Sequence, residues 1–333
     1  MRIQYKELES IFKEKLIKYG VADEKAATMA KIFADNTLDG VYSHGILRFP
    51  RLIGNIKDGF IDVKAEPTLE FSLPSFERWN GNNGLGVTNA IKMSERAMDL
   101  AAKTGVAAVA IKDTNHWMRG GTYGWMCADK GFASIMMTNT TPNMAPWGGK
   151  DNRVGNNPLV IAIPRENGEH IVVDMAMSQF SYGKLSTYAD RGEMLPIDGG
   201  WDNEGNLTKD PMKIAESRRI LPTGYWKGSS LSIAIDMLAT SLSMGNDTRE
   251  VGNKPVELGL SQLFIVIDLD KVTDKAWKEN MIDSALQYIE SSEAIDPKHS
   301  VRYPGKGSLM KREEQMQNGI EITEQSLKAI EVL

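Results

Sequence analysis

An α/β fold built on a mixed β-sheet, with a helical domain formed by the two chain ends, is predicted by three features of this 333-residue sequence. Helical periodicity fills the first 60 residues and returns after residue 270. Strands and helices alternate between those stretches, and several strand-like runs follow one another with short turns between them. Strands joined by turns pair antiparallel, so the sheet is expected to be mixed and not wholly parallel. The length suits two domains at roughly 100 to 200 residues each. The expected division places residues 1–70 with 270–333 in the helical domain and residues 71–269 in the α/β domain.

"KELESIFKEKLIKYG" repeats apolar residues at helical spacing and stops at Gly20; Asp23 then serves as the cap of "EKAATMAKIFADNTLDG", which ends at Gly40. Ser43 is the expected cap of a third helix, bent by Pro50. "TLEFSL" reads as a strand, "TNAIKMSERAMDLAAKTG" as a helix, and "VAAVAIK", "FASIMMTNT", "PLVIAIP", "HIVVDMAM" and "LSQLFIVIDL" as strands. Helix returns in "DKAWKENMIDSALQYIESSE" and in "TEQSLKAIEVL", capped by Thr323, and these C-terminal helices are expected to pack with the N-terminal ones.

Composition narrows the function classes. A net charge of −5 with interleaved signs provides no basic patch for nucleic acid or an anionic membrane. No apolar run approaches the roughly 18 to 20 residues of a membrane span, and the charged amphipathic start is unlike a signal peptide, so a cytoplasmic location is expected. One cysteine excludes an intrachain disulfide, and four histidines at 44, 116, 170 and 299 have no metal-ligand spacing, so no metal site is expected. The cluster "GNNGLG" at 81–86 precedes a helix, but GxxGxG is not the dinucleotide fingerprint GxGxxG, and it reads as a turn. A nicotinamide cofactor would have to be held by some other device.

Five stretches carry unusual chemistry. In "GVYSHGILRFPR", His44 and Arg48 stand four apart, one helical turn, where an imidazole able to exchange a proton near neutrality and a planar guanidinium fork suit a carboxylate substrate. On spacing alone the commoner reading is an ordinary histidine beside an ion-paired arginine. "TNHWMRGGTYGW" follows a strand, so His116 is placed to orient a substrate oxygen; for Trp117 and Trp125 the commoner reading is as core residues, and Arg119 reads as a solvated one. "NTTPNMAPWGGKDNRVGNNP" is long enough for a binding loop or a structural one. In "LPTGYWKGSS" Trp226 and Lys227 precede a helix opened by Ser229 and Ser230, and an indole beside a cation can face a nucleotide. "RYPGKG" is a turn that lets a ligand come close.

Taken together, "GVYSHGILRFPR", "NHWMRGGTYGW", "APWGGK", "GNNPLVIAIP", "VDMAMSQFSYG", "LPIDGGWDNEGNLTKDP", "RRILPTGYWKGSSLSI" and "YPG" occur in the order and spacing of the malate/L-lactate dehydrogenase family, which is unrelated to ordinary lactate dehydrogenases. The chain resembles that family from about residue 3 to its end. The resemblance implies an NAD(P)-dependent oxidoreductase of non-Rossmann fold that reduces an α-keto acid and works as a homodimer. It implies that His44 is the proton donor, that Arg48 contacts substrate and that His116 lines the site. For the cofactor it implies His170, Ile171, Val172, Val173, Asp174, Met175 and Ala176, then Trp226 and Lys227, then Gly305, Lys306 and Gly307. NADH is the cofactor so implied, with NADPH the alternative, because this chain reads Lys306-Gly307 where close relatives carry an acid. Malate, lactate, ureidoglycolate or a cyclic imino acid are the alternative substrates, and a non-catalytic nucleotide sensor is the alternative of a different class.

Overall fold

The computed structural model describes residues 1–333. A seven-stranded sheet holds β1 (Thr68–Leu73), β2 (Phe76–Asn80), β3 (Val106–Thr114), β4 (Phe132–Thr138), β5 (Leu159–Ile163), β6 (Ile171–Met175) and β7 (Leu260–Asp268), in the order β1-β2-β3-β7-β4-β5-β6. The mixed sheet expected from the sequence is present: β2 and β3 pair parallel and every other neighbour pairs antiparallel. The parallel pair needs a crossover, supplied by α4 (Gly86–Thr104). β7 is drawn from late in the chain yet fills the centre. Its apolar run is buried at Leu263, Phe264 and Val266, as a strand covered on both faces requires.

One face of the sheet is covered by α4 and α5 (Gly121–Ala128), which enclose Trp117, Tyr123, Met136 and Phe264. The other face is covered by α6 (Trp226–Ser243), whose Ile235 and Ala239 pack on Ala110, Met137 and Leu263. A separate core joins α1 (Tyr5–Lys18), α2 (Asp23–Leu38) and α3 (Phe49–Lys57), with Phe12, Phe33 and Phe49 at its centre. The chain end closes that core through Ile320, Ile322 and Ile330, and Arg2–Ile3 pairs antiparallel with Ile320–Glu321. α8 (Lys306–Asn318) and α9 (Glu324–Glu331) contact this N-terminal group, and Thr323 caps α9 as expected, accepting from the Ser326 N–H. α7 (Lys275–Glu290) behaves differently, because Ile282 and Leu286 pack with Tyr303 against Ile163 and Ile171 at the outer margin of the sheet.

Two expected caps are corrected. Asp23 is the first residue inside α2, after Ala22, and makes no capping hydrogen bond; its carboxylate meets Lys13 at 2.9 Å and stands at the positive end of the helix dipole. α6 opens at Trp226, three residues before Ser229, because Gly224 and Tyr225, both with positive φ, turn the chain there. Ser229 instead accepts from the Trp147 N–H at 2.9 Å, and Ser232 donates to the Gly155 carbonyl. Gly81–Gly86 forms a turn into α4, where a Cβ on Gly86 would lie 2.2 Å from the Asn115 carbonyl oxygen.

Candidate active site

His44 does not begin a long helix. It ends a single 3-10 turn, Tyr42–His44, between α2 and α3, and Ser43 caps nothing. Pro50 lies in the first turn of α3, where its missing N–H costs no hydrogen bond, so it starts that helix rather than bending it. Arg48 is the residue before α3. The turn is pressed onto α2: the Ile46 N–H donates to Thr37 Oγ1 at 3.0 Å, and Asn36 Nδ2 donates to the His44 carbonyl at 3.0 Å. Gly45 permits this approach, since a Cβ there would stand 2.3 Å from Thr37 Oγ1.

His116 arrives from the end of β3 and stacks on His44, with ring centroids 5.6 Å apart and planes 27° apart. The Met118 N–H donates to His116 Nδ1 at 2.9 Å, so the neutral ring carries its hydrogen on Nε2. Asp113 and Met118 both adopt left-handed backbone, at φ 48° and 66°, so strain brackets the histidine. Arg48 therefore shares one narrow crevice with His116, Asn115, Met118 and Arg51. The crevice also contains Glu257, which sequence reasoning missed: its Oε1 accepts from Arg48 Nη2 at 3.1 Å and lies 3.8 Å from His116 Nε2. No motif marks Glu257, because 209 positions separate it from Arg48 and only the insertion of β7 brings it here.

Burial, reinforced by the guanidinium groups of Arg48 and Arg119, pushes His44 down to about 4. Burial, with Arg48, His44 and Arg51 nearby, holds His116 well below the usual histidine range. Both rings are thus neutral at pH 7 in this state, and the charges left are two guanidiniums against one carboxylate. Such a crevice is short of one anion.

The expected cofactor segments lie along β6, the strand at the edge of the sheet. At its start the Val172 N–H donates to the Pro304 carbonyl at 3.0 Å. Gly305 there has φ 103°, and a Cβ on it would lie 2.9 Å from the His170 carbonyl oxygen. At its far end the Thr223 N–H donates to the Met177 carbonyl at 2.8 Å, and a Cβ on Gly228 would lie 2.7 Å from the same oxygen, so the turn that carries Trp226 and Lys227 is packed against the end of this segment. The three segments are therefore gathered on one edge, while individual side chains differ. His170 is buried, accepts from the Arg165 N–H at Nδ1 and meets Asp129 at 3.0 Å through Nε2, so its ring is committed to the fold. Ile171 and Val172 are packed into apolar contacts, Val173 is half-buried, and Met175 is exposed. The Lys306 ammonium is held by Glu290 at 2.5 Å, and Gly307 follows it in the first turn of α8. Trp226 is exposed, with Lys227 Nζ 6.0 Å from its ring centroid. Asp174 links this edge toward His44: it accepts from the Gly121 N–H at 2.8 Å and lies 3.9 Å from Arg119 Nε.

Arg119 is not solvated. It is buried and paired with Asp39, with Ser308 Oγ accepting a further hydrogen bond at 3.1 Å. Trp117 is core and Trp125 packs against His170. A cavity of about 520 Å³ opens between α2, α5 and the start of α8, lined by Asn36, Arg119, Thr122, Trp125, Ser308 and Arg312 among others. No three His, Cys, Asp or Glu side chains gather in a metal-binding group, and no helix is long and apolar enough to cross a membrane.

The chain was compared with known proteins. The family described as malate/L-lactate dehydrogenase matches residues 3–331. A 2,3-diketo-L-gulonate reductase of Klebsiella pneumoniae (strain 342) is 44% identical over 334 residues, covering 100% of both chains. One of Escherichia coli O127:H6 is 43% identical with the same coverage. Among solved structures, the sulfolactate dehydrogenase of Methanocaldococcus jannaschii superposes with a TM-score of 0.90 at 30% identity, covering 99% of this chain and 95% of that one. The malate dehydrogenase of Entamoeba histolytica has the same fold, with a TM-score of 0.93 at 21% identity over 100% and 96% of the two chains. With its whole length matched in sequence and in fold, this chain belongs to the malate/L-lactate dehydrogenase family, a family of oxidoreductases that use a nicotinamide cofactor.

Proposed function

We propose that this protein is an NADH-dependent reductase of an α-keto acid, with 2,3-diketo-L-gulonate, reduced at C2 to 3-keto-L-gulonate, as its substrate. The observation that carries the reading is that His116 and Arg48 line a crevice with one guanidinium more than it has carboxylates, with His44 stacked against His116. The curated relatives named above supply the particular keto acid.

The residues of β6 and the two turns beside it suit an extended dinucleotide: a strand at the sheet edge, a glycine where any side chain would fill the gap, and an adjacent cavity of about 520 Å³. His170 through Ala176 would hold the cofactor by backbone, Trp226 and Lys227 at one end, Gly305, Lys306 and Gly307 at the other. When bound, the nicotinamide supplies the hydride that reaches the substrate carbonyl. Arg48 holds the substrate carboxylate in its planar fork, which fixes the carbonyl with respect to His44. Burial lowers His44 most, with Arg48 next; a carboxylate seated on Arg48 offsets that second contribution, so an anionic substrate raises the affinity of the imidazole for a proton. His44 then delivers that proton to the oxygen as negative charge develops on it. His116 keeps Nε2–H pointed into the crevice, where it donates to the same oxygen or to the carboxylate.

The unit of function is a homodimer in this reading. α6 exposes Leu231, Ile233, Met237 and Leu238, an apolar surface suited to a second copy. Light scattering giving a monomer's mass would exclude it.

The direct test is oxidation of NADH, and in parallel NADPH, with a panel of α-keto acids. Diketogulonate is expected to give the highest kcat/KM. A flat response to it with strong activity on pyruvate, oxaloacetate or a cyclic imino acid transfers the assignment to that substrate. Cofactor binding without turnover on any of them leaves a nucleotide sensor.

A further inference from the structure

Glu257 joins three parts of the crevice that the sequence keeps far apart. Its Oε1 accepts from Arg48 and faces His116 Nε2 at 3.8 Å, while its Oε2 accepts from the Thr141 N–H at 3.3 Å and from Thr141 Oγ1 at 3.1 Å. The side chain is nine-tenths buried, at 9% exposure, and Arg48 keeps 22%. A carboxylate this enclosed requires partners on both oxygens, and it has them.

The form of the contact with Arg48 is informative. A guanidinium carries five N–H donors, and Glu257 takes one of them, at Nη2. The rest of the fork remains open to the crevice. A carboxylate placed to neutralise Arg48 would bind bidentate and leave little for a ligand. A single contact instead fixes the direction of a long, flexible side chain while leaving a two-pronged edge free. Thr141 in turn fixes Glu257 to the long loop between β4 and β5, so the fork is aimed by the loop rather than by its own helix.

We infer that Glu257 is the positioning residue of the substrate clamp: anchored by Thr141, it aims the Arg48 fork at the substrate carboxylate and leaves the fork free to bind it. The inference rests on the keto-acid reading above. Its consequence is selective, because Glu257 contacts none of the segments assigned to the cofactor.

The experiment compares wild type, Glu257→Gln and Glu257→Ala in three measurements: thermal melting, NADH binding by fluorescence, and calorimetric binding of oxamate, an unreactive carboxylate analogue. Steady-state kinetics follow where turnover is present. Glu257→Gln preserves size and the acceptor for Thr141 but removes the charge that holds Arg48. It is expected to weaken oxamate binding and raise KM for the keto acid about 10-fold, with NADH affinity within twofold of wild type. Added formate is expected to restore part of the oxamate affinity of Glu257→Ala by occupying the vacated place beside Arg48. Oxamate affinity within twofold of wild type in Glu257→Gln overturns the inference. So does equal loss of oxamate and NADH affinity with a lowered melting temperature and no formate rescue, which marks a purely structural residue. Wild type that binds oxamate but reduces no keto acid refutes the proposed activity and leaves the role of Glu257 to be decided by the binding data.

Discussion

Two clusters of charge adjoin the C-terminal end of α2, and they use arginine in opposite ways. In the first, Arg119 and Arg312 share the Asp39 carboxylate, Arg312 also reaches Asp35, and Asp35 is held by Lys31 and Tyr5. With Asp174 3.9 Å from Arg119, three cations there face three carboxylates, and the cluster ties α2 to α8 and to the loop before α5. In the second, Arg48 has a single contact with Glu257, Arg51 adds a second positive charge, and the two stacked histidines are held neutral. A saturated network fixes a fold, whereas an under-neutralised one is open to a ligand. The difference separates residues that look alike in the sequence, where Arg48 and Arg119 each stand three or four positions after a histidine.

The largest effects should fall on opposite properties. His44→Ala is expected to lower turnover by roughly 10² to 10⁴, the usual contribution of a positioned general acid, with melting temperature and NADH affinity near wild type. Undiminished turnover in that variant would remove the imidazole from the chemistry. Asp39→Asn should do the reverse, destabilising the protein by about 3–5 kcal/mol because it strips the shared partner from Arg119 and Arg312. Denaturant unfolding measures it; a loss below about 1 kcal/mol would mean that water already compensates these charges.

Arg48→Lys comes next. The ammonium keeps the charge but loses the planar fork, so KM for the keto acid should rise about 10- to 100-fold while NADH affinity holds. The same exchange at Arg119 should act mainly on stability instead, since its closest partners are Asp39 and Ser308, with Asp174 farther off at 3.9 Å. If both arginines changed KM alike, the contrast between the clusters would be lost.

What the sequence made legible follows the range of the interactions. Helical and strand periodicity are local, and they located six of the seven strands, missing the short β2, and most of the long helices, though not α8, whose polar sequence carries no clear apolar stripe. His44, Arg48 and His116 were legible through motif resemblance, and the fold brings them together, though the turn that carries His44 is not the helix that spacing suggested. Caps failed at Asp23, Ser43 and Ser229 because the helices begin elsewhere: α2 at Asp23 itself, α3 after Arg48 and α6 already at Trp226. Arg119 and Glu257 were misread or missed for another reason: their partners come from 80 and 209 residues away, and no local pattern records such a pairing. The central place of β7 is likewise a long-range fact, visible only as a run of apolar residues until the sheet is assembled.

The smallest effect concerns pH. His44, lowered to about 4 by burial and by Arg48 and Arg119, stays neutral in the folded protein down to that value, while in the unfolded chain it takes a proton below about 6.5. The unfolded state therefore binds more protons as pH falls from 6.5 toward 4, and stability present above that window is lost within it. His116, lowered in the same direction, adds to the loss. The paired cluster around Asp39 contains no histidine. Melting temperatures measured at pH 7 and pH 5 should therefore fall less in His44→Asn than in wild type, by a few degrees at most. Saturating oxamate should shrink the wild-type fall as well, since an anion on Arg48 lets His44 hold its proton in the folded state. An identical fall in both proteins, with and without oxamate, would mean that His44 is no longer the group that senses the occupancy of Arg48.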